Sequence, residues 1–189
     1  MSLGRMSSIR YAQIRELDIS NGEGVGASLF VQGCPFHCYN CFNSETWEFD
    51  GGKEWGEKTK NEFLDLINRP QIKRVSILGG EPLTTNNLDG VLDLINEIIT
   101  SFQNKTIWLY TGYTWEEIMN HIVTADINIK RDDILQKRKD IVKQCNILVD
   151  GRYVDNLRDI TLKWRGSSNQ RVIDVKKSLQ YDEPVLYCD

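Results

Sequence analysis

A chain of 189 residues has the length of one domain, or of one domain with a small appendage. With 40% hydrophobic and 26% charged residues it holds enough large apolar side chains for a core, unlike a disordered chain. The net charge of −4 argues against a general nucleic-acid-binding surface, because phosphate contact rests on Lys and Arg. No apolar run reaches the roughly 18–20 residues that cross a bilayer, and no signal-type stretch opens the chain, so a cytoplasmic protein without membrane partners is expected.

In chain order, residues 1–8 are set aside as a flexible or cloning-derived extension. Residues 27–32 form a short apolar run that ends at Gly33, which puts Cys34 on the loop after a strand. Phe63, Leu64, Leu66 and Ile67 fall at helical spacing within 57–69, and Pro70 closes that helix. Lys73 to Leu78 predicts a second strand, broken by Gly79-Gly80-Glu81-Pro82. From 86 to 102, Leu88, Val91, Leu92, Ile95, Ile98, Ile99 and Phe102 trace one broad apolar face of a helix.

Thr106 to Thr111 predicts a third strand. On it Trp108 and Tyr110 alternate, so one face reads as core, with neither residue catalytic. A short helix begins near Thr114, with Glu116 and Glu117 suited to its first turn. A charged helix spans about 132–143, capped by Asp132 or Asp133. Its basic runs, Lys130-Arg131 and Lys137-Arg138-Lys139, read as solvated faces. Asn146 to Asp150 predicts a fourth strand, and the irregular polar stretch Trp164–Arg171 a functional loop. Strands alternating with helices imply an α/β fold with a mostly parallel sheet. A closed (βα)₈ barrel needs about 250 residues, so the chain fits a partial, open barrel or a curved sheet with its site at the carboxyl ends of the strands.

Of five cysteines, Cys34, Cys38 and Cys41 crowd into one loop at spacings of three and two intervening residues, a pattern of metal ligation rather than of disulfides. Cys145 reads as an ordinary buried residue and Cys188 as a tail residue. A [4Fe-4S] cube usually takes four cysteines, so three leave one iron open, as a catalytic centre requires. Zinc bound by these cysteines and His37, or a purely structural loop, are the bland alternatives. Structural zinc sites usually draw two ligands from each of two separated pairs, and no second pair is visible.

The pattern CxxxCxxC after a first strand resembles the signature of the radical S-adenosylmethionine (SAM) superfamily. Asn21-Gly22-Glu23-Gly24, Ser28 to Gly33, Phe42-Asn43 with Thr46-Trp47, Gly79 to Leu83, Trp108 to Tyr113, Val149 to Arg152 and Trp164 to Arg171 are similar to the small activating proteins of anaerobic (class III) ribonucleotide reductases. The likeness spans about 10–175 and leaves 176–189 as an unassigned tail. It implies a single radical SAM domain over 1–189 on a partial, open (βα) barrel.

It also implies a glycyl-radical-generating oxidoreductase. Cys34, Cys38 and Cys41 would hold one [4Fe-4S] cluster and act catalytically through it, and SAM would chelate the open iron. Asn40, Cys41, Phe42, Gly79, Gly80 and Glu81 would contact that cofactor, with His37 no ligand. The implied partners are the large subunit of anaerobic ribonucleoside-triphosphate reductase and a reduced flavodoxin or ferredoxin as electron donor. Two departures stand out: Gly26, where many relatives carry Arg, and a longer charged stretch at 127–143. The rival readings are an activase of another glycyl-radical enzyme, a ferredoxin-like electron carrier and a zinc-stabilised interaction module.

Overall fold

The computed structural model describes residues 9–119 and 129–188, so the expectation for residues 1–8 lies outside the described residues. The elements in order are β1 (Arg10–Asp18), β2 (Gly26–Val31), β3 (Lys53–Glu54), α1 (Glu57–Ile67), β4 (Arg74–Gly79), α2 (Leu88–Ser101), β5 (Thr106–Tyr110), α3 (Trp115–Met119), α4 (Ile129–Gln144), β6 (Ile147–Asp150), β7 (Arg171–Asp174), α5 (Val175–Tyr181) and β8 (Leu186–Cys188). All eight strands share one open sheet in the order β3-β1-β2-β4-β5-β6-β7-β8.

The middle of that sheet, β2-β4-β5-β6, is parallel, with helices in the crossovers as the alternating pattern predicts. Its flanks are antiparallel: β1 and β3 on one side, β7 and β8 on the other. The mostly parallel sheet of the sequence reading is therefore a parallel centre with antiparallel margins. The reason is local. A short turn returns β1 to β2, and the segment between β6 and β7 contains no α-helix to carry the chain back for a parallel strand.

Alternation divides the sheet into two faces. Leu29, Val31, Val75, Ile77, Leu109 and Leu148 join the large core with Phe63 and Ile67 of α1, Leu94, Ile95 and Ile98 of α2, and Ile141 and Val142 of α4. The opposite face carries a small cluster of Trp108, Ile147, Val149 and Val172, with Tyr110, Trp164 and Cys188 packed against it. Among the described residues no helix is long and apolar enough to cross a membrane.

Local chemistry explains the helix ends. Thr114 and Glu117 form a capping box for α3, with the Glu117 N–H on the Thr114 hydroxyl at 3.2 Å and the Thr114 N–H on the Glu117 carboxylate at 2.8 Å. The charged helix α4 already runs at Ile129, so neither Asp132 nor Asp133 caps it, and Asp133 instead pairs with Lys137 at 3.0 Å. Nor is its basic run simply solvated. Arg138 is half-buried, donates to the Leu83 carbonyl and the Tyr113 hydroxyl at 2.8 Å each, and lies over the Tyr113 ring. The side chains of Lys130 and Arg131 lie outside the described residues.

Beneath the turn after β1, the fully buried Arg74 pairs with Asp18, Nη2 to the Asp18 carbonyl at 2.5 Å and to its carboxylate at 3.7 Å. The other amino group reaches the Asn21 carbonyl and the Ser76 hydroxyl. Gly26 is paired with Arg74 across the ladder, and a Cβ there would sit 2.8 Å from the guanidinium carbon. No side chain fits at Gly26 because the neighbouring strand already supplies the arginine.

Candidate functional site

The parallel ladder of β2 and β4 continues past the ends of both strands: the Gly80 N–H donates to the Val31 carbonyl and the Glu81 N–H to the Gly33 carbonyl, each at 2.8 Å. A Cβ at Gly80 would stand 2.5 Å from the Gly33 oxygen, so the glycine serves an approach of backbone to backbone. The close approach expected toward a ligand is thus made first to the cysteine loop. That loop is pinned at its far side too, by the Gly33 N–H on the Thr46 carbonyl (2.8 Å) and the Cys34 N–H on the Trp47 carbonyl (2.9 Å). Between these pins it turns sharply, with φ of +46° at His37 and +55° at Asn40, and the Cys41 N–H closes on the Cys38 carbonyl at 3.1 Å.

Above the carboxyl edge lies a cleft of ≈ 450 Å³ whose wall includes Cys34, Cys38 and Cys41. Its floor is one row of the sheet: Phe30 beside Leu78, and Tyr110 beside Val149. The Tyr110 hydroxyl is buried there without a hydrogen-bond partner among the described residues, and burial holds its pKa far above the ordinary value. The lower part of the same face is filled by Trp108, Trp164 and Tyr187, packed ring to ring at 5.0–6.1 Å. The Tyr187 hydroxyl bonds Glu23, which ties the last strand to the turn after β1. The last strand of the tail, unassigned from the sequence, is therefore part of this face.

All three loop cysteines are free thiols. Burial raises Cys34 to about 11, with the Phe36 backbone N–H opposing. Burial also raises Cys38, helped by the neighbouring Cys41 and opposed by the Tyr153 backbone N–H and the Arg152 guanidinium. Ligation by iron removes such protons outright. The Asn43 N–H lies 3.4 Å from the Cys41 sulfur, the kind of contact that tunes a metal-bound thiolate. Among the described residues no three His, Cys, Asp or Glu side chains converge on a single metal ion. A cube, whose ligands bind different irons, asks for a wider spread than one tetrahedral zinc. The His37 ring stacks on Trp47 at 4.7 Å and takes no place in the cleft wall.

Glu81 lines the cleft but is 1% exposed. Its Oε1 accepts from the Leu83 N–H (2.8 Å) and the Thr111 hydroxyl (2.7 Å), and its Oε2 from the Gly112 N–H (2.8 Å). Burial pushes its pKa up to about 7 against these three donors. Its carboxylate thus joins the loops after β4 and β5. The side chain of Asn40, whose backbone is left-handed, lies against Asp155 at 3.2 Å, outside the cleft wall. Phe42 does line the cleft, exposed on one side and packed against Tyr153 at 5.2 Å. Gly79 and Gly80 line it as well.

The segment after β6, which the sequence marks as a functional loop, reaches the cleft. Trp164, Arg165 and Gly166 form part of the cleft wall, and Gln170 folds the loop on itself, accepting from the Gly166 N–H at 2.9 Å and donating to the Gly151 carbonyl at 2.9 Å. Asn169 donates to the Arg152 carbonyl at 2.8 Å. The polar residues of Trp164–Arg171 thus hold their own loop against the end of β6. Tyr153, Ile160 and Leu162, which no spacing rule marked, also reach the cleft.

An open α/β sheet with three free thiols in one cleft at its carboxyl edge matches, over residues 20–173, the family described as a 4Fe-4S single cluster domain. This defines an iron–sulfur protein. The anaerobic ribonucleoside-triphosphate reductase-activating protein of Escherichia coli (strain K12) is 34% identical over 166 residues, 87% of this chain and 97% of that one. Those of Vibrio cholerae (33% identical; 86% of this chain, 96% of that one) and Enterobacteria phage T4 (31% identical; 87% and 93%) align over nearly the same span. The chain belongs to the family of anaerobic ribonucleoside-triphosphate reductase-activating proteins. Among solved structures, QueE from Escherichia coli aligns with 57% of this chain and 54% of its own, at TM-score 0.36 and 17% identity.

Proposed function

We propose that this chain, on a partial, open (βα) barrel of the radical SAM type, holds one [4Fe-4S] cluster on Cys34, Cys38 and Cys41 and generates a glycyl radical on the large subunit of anaerobic ribonucleoside-triphosphate reductase. The observation that carries the reading is three reduced thiols on one cleft wall, with Cys145 buried in the helical core and Cys188 on β8, neither of them in that wall. When bound, the cluster supplies one electron that splits the S–C5′ bond of SAM, giving methionine and a 5′-deoxyadenosyl radical that takes a hydrogen atom from a glycine Cα of the reductase. A reduced flavodoxin or ferredoxin delivers that electron.

The chain's own residues supply the setting. The Gly80 carbonyl accepts no hydrogen bond among the described residues, so it is free for the ammonium group of the cofactor. Glu81 fixes that turn through Leu83, Thr111 and Gly112 without needing to touch the cofactor itself. Phe42 offers an apolar ring at the mouth, and Phe30, Leu78 and Val149 make a floor that keeps water from a reactive radical.

The test is anaerobic. Iron and sulfide are added to the protein, then reductant and SAM, and 5′-deoxyadenosine is measured; adding the reductase should then produce the glycyl-radical doublet by electron paramagnetic resonance. Preferential loading of zinc, or a loaded and reduced cluster that leaves SAM intact, sinks the reading.

A further inference from the structure

Arg152 stands just after β6, far from the cysteine loop in sequence, yet its guanidinium carbon lies 4.3 Å from the centre of the Phe36 ring. Phe36 sits between Cys34 and Cys38 in the chain. Its ring is edge-on to Tyr113 at 4.9 Å and pressed onto Gly112, where a Cβ would be 2.5 Å from it. The stem of Arg152 lies 3.4 Å from that same point. One arginine and one glycine therefore grip the ring that the cysteine loop extends toward β5.

The backbone that presents Arg152 is held on both sides, by Asn169 on its carbonyl and Gln170 on that of Gly151. Among the described residues its guanidinium has neither a carboxylate nor a hydrogen-bond acceptor, and it shares the cleft wall with the three cysteines.

We propose that Arg152 is a positioning residue that clamps the cysteine loop through Phe36 and sets an unpaired positive charge in the cleft wall it shares with the three cysteines, raising the reduction potential of the cluster bound there. This rests on the reading of Cys34, Cys38 and Cys41 as cluster ligands. An added electron makes an anionic cube more negative, so a fixed neighbouring cation favours the reduced form, and net charge near the sulfurs is one of the determinants of such potentials. A guanidinium keeps its charge at every working pH. An exposed cation–π contact is worth about 0.5–1 kcal/mol, so its loss leaves the fold standing.

The experiment is a redox titration of the cluster-loaded protein without SAM, followed by electron paramagnetic resonance, for wild type, R152Q and R152K, with iron and sulfide counted per chain. Equal loading is expected. At the wild-type midpoint the reduced-to-oxidised ratio of R152Q should fall about threefold or more, which is ~28 mV for a one-electron couple. R152K should recover most of it, and added salt should narrow the gap because the charge is exposed. R152Q titrating with the wild-type midpoint at equal loading overturns the proposal. Should R152Q lose its cluster, R152K decides: a midpoint near that of wild type supports the proposal, and a threefold shift overturns it. A wild type that loads no iron–sulfur cluster overturns instead the ligand assignment beneath it.

Discussion

Replacing Glu81 by Gln exposes the energetic consequence of burying a carboxyl group in the wall of the cleft. Burial raises it from 4.5 to about 7 although three protein donors surround it. Because the folded chain binds this proton more tightly than the unfolded chain, the stabilisation is complete below the unfolded value of 4.5 and is lost as pH climbs through about 7. A gap of that size corresponds to about 3 kcal/mol, at roughly 1.4 kcal/mol per unit. Glutamine carries no charge and lacks the slope, but whichever way its amide is turned the nitrogen faces a backbone N–H, that of Leu83 or that of Gly112, which can only donate, at a cost of about 1–3 kcal/mol at every pH. E81Q should therefore be the less stable protein near pH 5, and its deficit should shrink or reverse near pH 8, about a unit above the transition. Urea unfolding of both proteins across that range, anaerobically and with thiols reduced, gives the difference directly. Stability curves that stay parallel would refute the reasoning.

At Gly80, alanine would set its methyl 2.5 Å from the Gly33 oxygen, where neither backbone can yield. G80A should lose about 1–3 kcal/mol and, since Cys34 follows Gly33, load less iron; an unchanged melting temperature with full iron would contradict this. Removing the Asp18 carboxylate strands Arg74 in a fully buried position, so D18A should destabilise by about 3–5 kcal/mol in thermal or urea unfolding, and a loss under 1 kcal/mol would mean the pair is dispensable. Cys38→Ala should abolish the intact cluster while Cys188→Ala keeps it; equal iron and sulfide in the two variants would count against the ligand assignment.

The parallel centre was legible because its strands are short apolar runs ended by glycine and its helices, above all α2, carry one continuous apolar face. The margins were not. In β1 the inward positions are only half-buried and Arg15, Glu16 and Leu17 are exposed, so no clean alternation marks the strand. In β7 and β8 the runs are four and three residues long, too short for a period to emerge. Within the site the cysteine loop could be read because metal ligation demands particular residues at particular spacings. The partners of Glu81 could not, since Thr111 and Gly112 come from the loop after a different strand and only the fold brings them near. The same holds for Arg152, whose ring partner lies on the other side of the sequence.

The double pinning of the cysteine loop bears on how the protein matures. Its entrance is stitched to the sheet through Gly33, and its exit is fastened at Trp47, with the Gln32 amide reaching the Glu48 carbonyl at 2.8 Å as a further strut. Small zinc modules fold only when their metal arrives. Here both ends of the loop are fixed by protein hydrogen bonds that need no metal, so a protein stripped of its inorganic core is expected to keep its sheet and helices, as an unchanged far-ultraviolet circular dichroism spectrum would show.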